Sequence, residues 1–556
     1  CQNKGRLVVG FPHAPGNDSG QRFVTVRQIH HQHIIIRKLR IDLLKGEKWW
    51  GVFIAGGRPM PFDAPFQKID LSQGRGQKTP FMVSNRGRYV WSAEPFSITY
   101  TGDSFLIESS AGEVKAVSAG RTLREAYLVC CHKNFPPGGN APSPELMTAP
   151  VYDPFLELGF EATETALCDY ADLILKAGYP AGTLVVPAGW QSSIGSNEPS
   201  MHLFGDFAGM VRALHDKGFR VMLTVTPFVS GDGPIFRRYR GEQMFVSRPD
   251  STVAMAEWDG GYSAFYDLTR PEVYELIKGR LDALRSNYGI DGFLFDCGGA
   301  MPYLKYAQGG AAAYLSRWSE LSDGCDFCQY TVSRGTSGLV SYVHNLRLDH
   351  DFDWDFLRRA ASDMVSANLL GYPYTVVSPR VSKLADLDRV DPKVFLRYLQ
   401  LSSVMPVMNI AFAPWNITDP AVAASCKAIV NDRARLGAYY EQLVSESKRT
   451  AEPVLRHLEY EFPRNGFTDC DDQFMLGSRF FDRAAARRQE QPHGTVPTGY
   501  LGRCFRQALS RAFGDDRNRI ERPCTLFRVG EKRRYEKTGQ LILESIRYYI
   551  QNRRPC

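Results

Sequence analysis

Carboxylates at the ends of apolar runs are the residues of this chain best placed to do chemistry. Tyr288-Gly-Ile-Asp-Gly-Phe-Leu-Phe-Asp296 reads as a short, fully buried strand that ends in a charge. In a repeating strand–helix protein, catalytic side chains emerge at the carboxyl ends of strands, so Asp296 is the first candidate. A second group, Asp351, Asp353 and Asp355 in His350-Asp-Phe-Asp-Trp-Asp-Phe356, follows the strand-like run Ser341-Tyr-Val-His-Asn-Leu-Arg347. If the two strands face each other across a barrel mouth, one carboxylate from each can flank a bound ligand. Two carboxyl groups about 5–5.5 Å apart suit double displacement at an anomeric carbon: one attacks, and the other protonates the leaving oxygen and later activates water. Each carboxylate also has a plainer role. Acidic residues favour a helix N-terminus, which is all that is expected of Asp351, and a strand-end Asp can bond its own turn. Trp190, Trp258, Trp354 and Trp415 fall at or just after strand ends, where an indole can stack on a sugar ring. Arg334, closing Gln329-Tyr-Thr-Val-Ser-Arg334, joins them as a candidate substrate contact.

The elements that must carry these residues follow from the rhythm of the sequence. Residues 1–145 lack helical periodicity. Short alternating runs such as Arg22-Phe-Val-Thr-Val-Arg27, Ile34-Ile-Ile-Arg37 and Phe96-Ser-Ile-Thr-Tyr100 lie between Gly, Pro and Asn turns, which is the pattern of a β-sandwich. The Pro-rich stretch Phe135 to Pro144 reads as a linker. From about 148, helices and strands alternate. Pro150-Val-Tyr-Asp-Pro-Phe-Leu-Glu-Leu158 opens the series, and Gly182 to Val186, Phe219 to Phe228, the Asp296 strand, Gln329 to Arg334, Ser341 to Arg347, Tyr372 to Val377 and Pro406 to Phe412 continue it. The intervening helices include Glu161 to Lys176, Phe207 to Lys217, Pro271 to Asn287, Leu357 to Leu370 and Lys393 to Ser403, and a last one covers Ala421 to Glu446. Eight such units make a TIM barrel over residues 146–448. A doubly wound sheet would more often carry a Gly-rich phosphate turn after its first strand, and there is none. The fold expected is α/β: a (β/α)8 barrel flanked by an N-terminal β-sandwich and a small C-terminal β domain. That last domain, 449–556, opens on the strand-like Pro453 to Phe462 and is Arg-rich and poorly patterned after 479.

Composition narrows the partners. At 556 residues the chain exceeds a single core. A net charge of +7 with no basic stripe interleaved with aromatics argues against nucleic acid, and no run of about 18 apolar residues argues for a membrane span. Cys325-x-x-Cys328 without a second pair is poor zinc chemistry, and a disulfide or two free thiols are the better expectation. His30-His31-x-His33 reads as a solvated strand face. No cofactor and no metal are expected. A cysteine in first position is what a bacterial lipoprotein shows after its leader is cleaved, at the periplasm or cell surface, and equally what a truncation leaves. Compartment and oligomeric state stay open.

Several segments resemble glycoside hydrolase family 31, in the bacterial branch akin to the myogenesis-regulating glycosidase. They are Ser84-Asn-Arg-Gly-Arg-Tyr-Val-Trp-Ser92, Thr122-Leu-Arg-Glu-Ala-Tyr-Leu128, Leu214-His-Asp-Lys-Gly-Phe-Arg-Val-Met-Leu223 with Pro227-Phe-Val-Ser230, and Gly289-Ile-Asp-Gly-Phe-Leu-Phe-Asp296. Leu370-Gly-Tyr-Pro373, Met405-Pro-Val-Met408 with Ala413-Pro-Trp415, and Arg456-His-Leu-Glu-Tyr460 with Asp472-Gln-Phe-Met-Leu-Gly477 complete the series. The resemblance implies the same three-part fold and a retaining α-glycosidase of α-glucosidase or α-galactosidase type acting on a carbohydrate. It matches the nucleophile to Asp296 and the acid/base to Asp355 or Asp353, with Asp355 preferred because it follows Trp354. The chain also departs from the family. Val186-Pro187-Ala188-Gly189-Trp190 replaces paired aspartates before Gly-Trp, and Cys297-Gly298-Gly299 replaces Ala-Gly-Glu. Val377-Ser378-Pro379-Arg380 and Asn409 replace further polar contacts. Two readings therefore stay open: an active α-glycosidase with altered specificity, or a degenerate barrel that binds a glycan or protein without turnover. A metal-dependent hydrolase would need paired His ligands at strand ends, which the sequence lacks.

Overall fold

Short, mostly apolar runs suit strands covered on both faces, and eight strands, most of this kind, form the centre of the structure. The strands are β1 (Val151–Tyr152), β2 (Thr183–Val186), β3 (Arg220–Val225), β4 (Gly292–Phe295), β5 (Cys328–Tyr330), β6 (Tyr342–Leu348), β7 (Thr375–Pro379) and β8 (Asn409–Ile410). The computed structural model describes residues 7–9, 24–26, 29–31, 34–53, 60–72, 77–109, 112–160, 162–258, 261–333, 342–348, 352–379, 390–470, 473–478 and 480–483. Around the strands lie α1 (Glu164–Lys176), α2 (Phe207–Asp216), α3 (Pro271–Tyr288), α4 (Gly310–Glu320), α5 (Trp354–Leu369), α6 (Pro392–Ser402), α7 (Pro420–Arg433) and α8 (Gly437–Thr450). All ladders in the ring are parallel. They run continuously from β8 through β1 to β7.

The remaining seam, β7 to β8, is bridged by side chains. Asn409 Nδ2 donates to Ser378 Oγ (2.9 Å), and the Tyr398 hydroxyl lies within bonding distance of both the Val377 and the Asn409 carbonyls (3.1 and 3.2 Å). At the base of the same region Arg433, the last residue of α7, is fully buried, with no ion-pair partner among the described residues. Its Nη1 donates to the carbonyls of Ser403 (2.7 Å) and Met405 (2.8 Å), and Nη2 to those of Met147 (2.6 Å) and Pro406 (2.7 Å). The guanidinium lies 3.8 Å from the centre of the Tyr440 ring. These carbonyls belong to the segments that lead into β8 and β1, so one side chain ties together the ends of the barrel sequence.

The N-terminal strands form a two-stranded antiparallel ladder, Leu7–Val9 with Val24–Val26, and two larger antiparallel sheets. One contains Ile29–His31, Ile34–Asp42, Ser104–Ser109, Ser97–Tyr100 and Phe66–Asp70; the other contains Val114–Ser118, Arg88–Ser92, Lys78–Ser84 and Trp49–Phe53. Aromatic rings fill the space between them: Trp49 meets Phe105 edge-on at 5.8 Å, and Tyr100 stacks on Phe105 at 4.6 Å. Beyond the barrel, Leu455–His457, Gln473–Leu476 and Phe480–Arg483 form a three-stranded antiparallel sheet. The Arg-rich stretch after 483 lies outside the described residues, as do Arg334, Asp351 and His33.

Four local expectations are corrected. Pro150 to Leu158 is a strand only over Val151–Tyr152, because Pro154 turns the chain into the short helix Phe155–Leu158. The expected last helix is broken into α7 and α8 by the 3-10 turn Ala434–Leu436, just after Arg433 reaches in to its carbonyls. Pro453 to Phe462 is a strand only over Leu455–His457, and the His457 ring then caps the short helix Leu458–Glu461. The region before 145 also contains a helix, Leu123–Asn134. Its signal was a capping box: Thr122 Oγ1 accepts the Glu125 N–H (3.3 Å) while the Glu125 carboxylate accepts the Thr122 N–H (3.1 Å).

One buried carboxyl on α5 makes a pH prediction. Asp363 is 4% exposed, its Oδ2 has no hydrogen-bond partner, and burial pushes its carboxyl up to about 8. The folded chain therefore holds this proton up to about pH 8, whereas the unfolded chain releases it near the ordinary value of 3.8. Stability from this group is complete below pH 4 and is lost as pH rises toward 8, by on the order of a few kcal/mol. Asp363→Asn is expected to flatten that decline, with denaturant unfolding at pH 5 and pH 8 as the measurement.

Candidate active site at the barrel mouth

Asp296 is delivered by a strand whose approach is tightly specified. Helix α3 ends at Gly289, which takes the left-handed conformation (φ 76°) that glycine adopts without strain. Asp291 then fixes the base of β4 to β3. Its Oδ2 accepts the Val221 N–H (2.8 Å) and pairs with His215 Nε2 (2.8 Å), while Oδ1 accepts from Arg220 Nη1 (3.2 Å). At Gly292 a Cβ would stand 1.6 Å from the Phe327 carbonyl oxygen, so only glycine lets β4 and the segment entering β5 approach this closely. The two acidic residues of the strand thus have different work: Asp291 holds the base, and Asp296 emerges at the C-terminal end.

The ladder continues one residue beyond the strands. The Asp296 N–H donates to Val225 O (2.9 Å), and the Thr331 N–H donates to Phe295 O (2.9 Å), which brings Thr331 alongside Asp296. Thr331 Oγ1 then donates to Asp296 Oδ1 (2.9 Å), and the Gly298 N–H lies 3.4 Å from the same oxygen. Asp296 is half-buried. These donors fix the plane of its carboxyl group. The adjoining Cys297 is fully buried, and its thiol is pushed far up by burial first and by the Asp296 charge second, which makes it a neutral filler and not a second nucleophile.

The loop after β6 carries the other carboxylates. Phe352 anchors it, packing against Phe356 (5.1 Å), Tyr398 (5.5 Å) and Phe412 (4.9 Å). Asp353 is the N-cap of α5, and its Oδ1 accepts the Phe356 N–H (2.9 Å). Asp355, on the first turn, is exposed and pairs with Arg358 Nη1 at 2.8 Å. The plain capping role foreseen for this acidic cluster is therefore taken by Asp353. Trp354 lies between the two and is half-buried.

The other tryptophans divide. Trp258, in the hairpin after β3, is half-buried, stacks on Phe228 at 4.9 Å and meets Phe160 edge-on at 5.9 Å. Phe155 adds a further edge contact to Phe160 at 5.0 Å, so aromatic residues that follow β1 and β3 form one cluster. Trp190 is 1% exposed. Its Nε1 donates to Thr224 O (2.8 Å) and its ring packs on Phe207 of α2, so it has no face to offer a ligand in this structure. Trp415 packs edge-on against Tyr170 of α1 and against Tyr179 (5.2 and 5.8 Å), in the helical layer.

Three residues near the mouth escaped the sequence reading. Thr331 was legible in principle, since it stands one residue past β5 in register with Asp296. Gln77 was not, because it comes from the N-terminal sandwich. It is 2% exposed, and its Oε1 accepts the Ser333 N–H (2.9 Å) while Nε2 donates to the Tyr372 hydroxyl (3.2 Å). Glu157, just after β1, accepts the Ala413 N–H (2.7 Å) beyond β8, and burial pushes its carboxyl up to about 7. Among the described residues no group of three or more His, Cys, Asp or Glu could hold a metal ion.

A (β/α)8 barrel with a carboxylate fixed at the end of its fourth strand defines a class of protein, and comparison with known proteins narrows it. Residues 154–316 match the Glycosyl hydrolases family 31 TIM-barrel domain. The chain is 23% identical over 379 residues to the myogenesis-regulating glycosidase of Mus musculus, covering 65% of this chain and 52% of that one. It is 24% identical over 481 residues to an alpha-xylosidase of Emericella nidulans, covering 79% and 59%. It thus spans little more than half the length of these relatives. A family 31 alpha-xylosidase from a soil metagenome, solved with xylose, shares the fold with a TM-score of 0.72 at 14% identity, over 87% of this chain and 79% of that one. The barrel domain thus matches the family 31 model over residues 154–316, and the chain is similar to members of glycoside hydrolase family 31.

Proposed function

We propose that this chain is a retaining α-glycosidase in which Asp296 is the nucleophile and Asp355 the acid/base. The observation that carries the reading is the Asp296 carboxyl at the end of β4, with one oxygen oriented by Thr331 and Gly298 in a family 31 barrel. In the first step a carboxylate oxygen of Asp296 attacks the anomeric carbon while Asp355 gives a proton to the leaving oxygen. In the second, Asp355 takes a proton from water, which attacks the glycosyl ester and releases Asp296. Trp258 and Trp354, both half-buried, are the proposed ring platforms, and Arg334 a polar contact. Trp190 is left out because packing takes up its whole surface, and Trp415, half-buried in edge contacts with Tyr170 and Tyr179, stays a further candidate contact.

Both carboxylates are exposed, and Asp355 is preferred because Asp353 Oδ1 caps the α5 backbone whereas Asp355 is held only by a surface pair with Arg358. Asp355→Ala is expected to spare aryl α-glycosides with good leaving groups, to lose activity on poor ones by about 10²-fold or more, and to regain its second step with azide. Asp353→Ala is expected to destabilise α5 by about 1 kcal/mol, the usual cost of a lost cap, without azide rescue. The reverse pattern would transfer the role to Asp353. Measurement is by steady-state kinetics on nitrophenyl α-glucoside, α-galactoside, α-xyloside and α-6-sulfoquinovoside.

A second reading draws on the barrel wall. Ser378 and Asn409 stand where the family has polar substrate contacts, and here they bond each other. A barrel that binds a glycan without turnover is supported if none of the four substrates is hydrolysed while glycan binding is measurable.

A further inference from the structure

The Cys325-x-x-Cys328 motif lies at the opposite end of β5 from Thr331 and takes no part in the chemistry above. Cys325 is 6% exposed, in a turn whose neighbours Gly324 and Asp326 are exposed; Cys328 opens β5 and is fully buried. Both are free thiols, and the Cys328 Sγ–H points at Cys325 Sγ across 3.4 Å. Cys325 Sγ in turn faces the Asp291 carbonyl at 3.5 Å, at the base of β4. Arg285 of α3 reaches the same turn and donates to Gly324 O (3.1 Å). A zinc site needs four ligands, commonly two such pairs, and no cluster of that kind occurs among the described residues.

We propose that Cys325 and Cys328 are a redox-active dithiol that closes to a disulfide by exchange with a low-molecular-weight disulfide of the glutathione class. Cys325 attacks and Cys328 resolves. The Cys325 thiolate forms a bond to one sulfur of the small disulfide and expels the other as a thiol. The Cys328 thiolate then attacks Cys325 Sγ and expels the second small thiol. The protein loses two protons and two electrons, and the small disulfide gains them as it becomes two thiols. The order follows from the surroundings: the hydrogen bond from Cys328 and the Arg285 charge hold the Cys325 thiol low, and burial holds Cys328 well above the ordinary range. Cys325 also lies in the turn that solvent reaches. The sulfurs already point at each other, so closure asks for a short approach and no rearrangement of β5.

The test uses the full chain incubated with oxidised glutathione, then denatured in a maleimide that labels every remaining thiol, and read by peptide mass spectrometry. The expected result is that the peptide carrying both cysteines loses both labels and two hydrogens, and that dithiothreitol restores the labels. In Cys328→Ser the glutathione adduct is expected to stay on Cys325, at least about 10-fold more abundant than in the unsubstituted chain. Full labelling of both cysteines after oxidation would overturn the proposal, as would an adduct on the unsubstituted chain as abundant as in Cys328→Ser. The first readout needs no variant, so poor folding of Cys328→Ser leaves the proposal testable.

Discussion

Asp296→Asn is expected to reduce hydrolysis of aryl α-glycosides by about 10⁴-fold or more, a loss of roughly 5.4 kcal/mol in transition-state stabilisation at 1.36 kcal/mol per decade. The amide is nearly isosteric with the carboxylate, and its carbonyl oxygen can still accept from Thr331 Oγ1 and the Gly298 N–H, so the fold and melting temperature should be unchanged. What the amide lacks is the nucleophilic oxygen that forms the glycosyl ester. A loss of turnover with unchanged melting would therefore report chemistry and not folding. Product stereochemistry separates the two roles further. With Asp296→Gly and azide, direct displacement on an α-glycoside gives the β-glycosyl azide. With Asp355→Ala and azide, attack on the glycosyl-enzyme gives the α-anomer. Unchanged turnover by Asp296→Asn would remove this residue as nucleophile.

The second large effect is on stability. Arg433→Met removes a buried guanidinium that satisfies four backbone carbonyls at once. An apolar side chain of similar length fills most of the volume, so packing loss is small, and the cost comes from carbonyls left without donors. At about 1–3 kcal/mol for each buried group left unsatisfied, a total of at least ~4 kcal/mol is expected. Domains are stable by only about 5–15 kcal/mol, so the variant should melt many degrees lower or fail to accumulate. Arg433→Lys keeps the charge but replaces a planar fork by a single ammonium, which cannot reach all the carbonyls, and should fall between the two. Thermal melts of the three proteins decide the matter, and equal melting temperatures would mean that the seam is held by other contacts.

How much of this was legible in the sequence differs by element. The period of the apolar pattern and its turn residues define the strands and helices, so the order of the barrel elements was readable, and so was the carboxylate at the end of β4. That Asp291 and Asp296, at the two ends of β4, do different work follows from strand direction alone. The errors had two sources: local signals that end or start an element, Pro154 after β1 and the Thr122–Glu125 capping box, and a tertiary contact, Arg433 at the break between α7 and α8. Tryptophans near strand ends all looked alike in sequence, because spacing along the chain does not say which way an indole turns. Only the fold buries Trp190 in packing and leaves Trp258, Trp354 and Trp415 half-buried.

Chain order and strand polarity thus determined by themselves that Asp296 would stand at the mouth of a barrel. What surrounds it was decided in three dimensions. Thr331 reaches Asp296 from a strand 35 residues away, and Gln77 meets Ser333 across 256 residues. Hydrogen bonds act over about 3 Å and are indifferent to sequence separation; strand register could have pointed to Thr331, but no local pattern encodes Gln77. The same holds for Asp353 and Asp355: the sequence offers two carboxylates flanking Trp354, and only the helix cap, with its demand for one acceptor at Phe356 N–H, tells them apart.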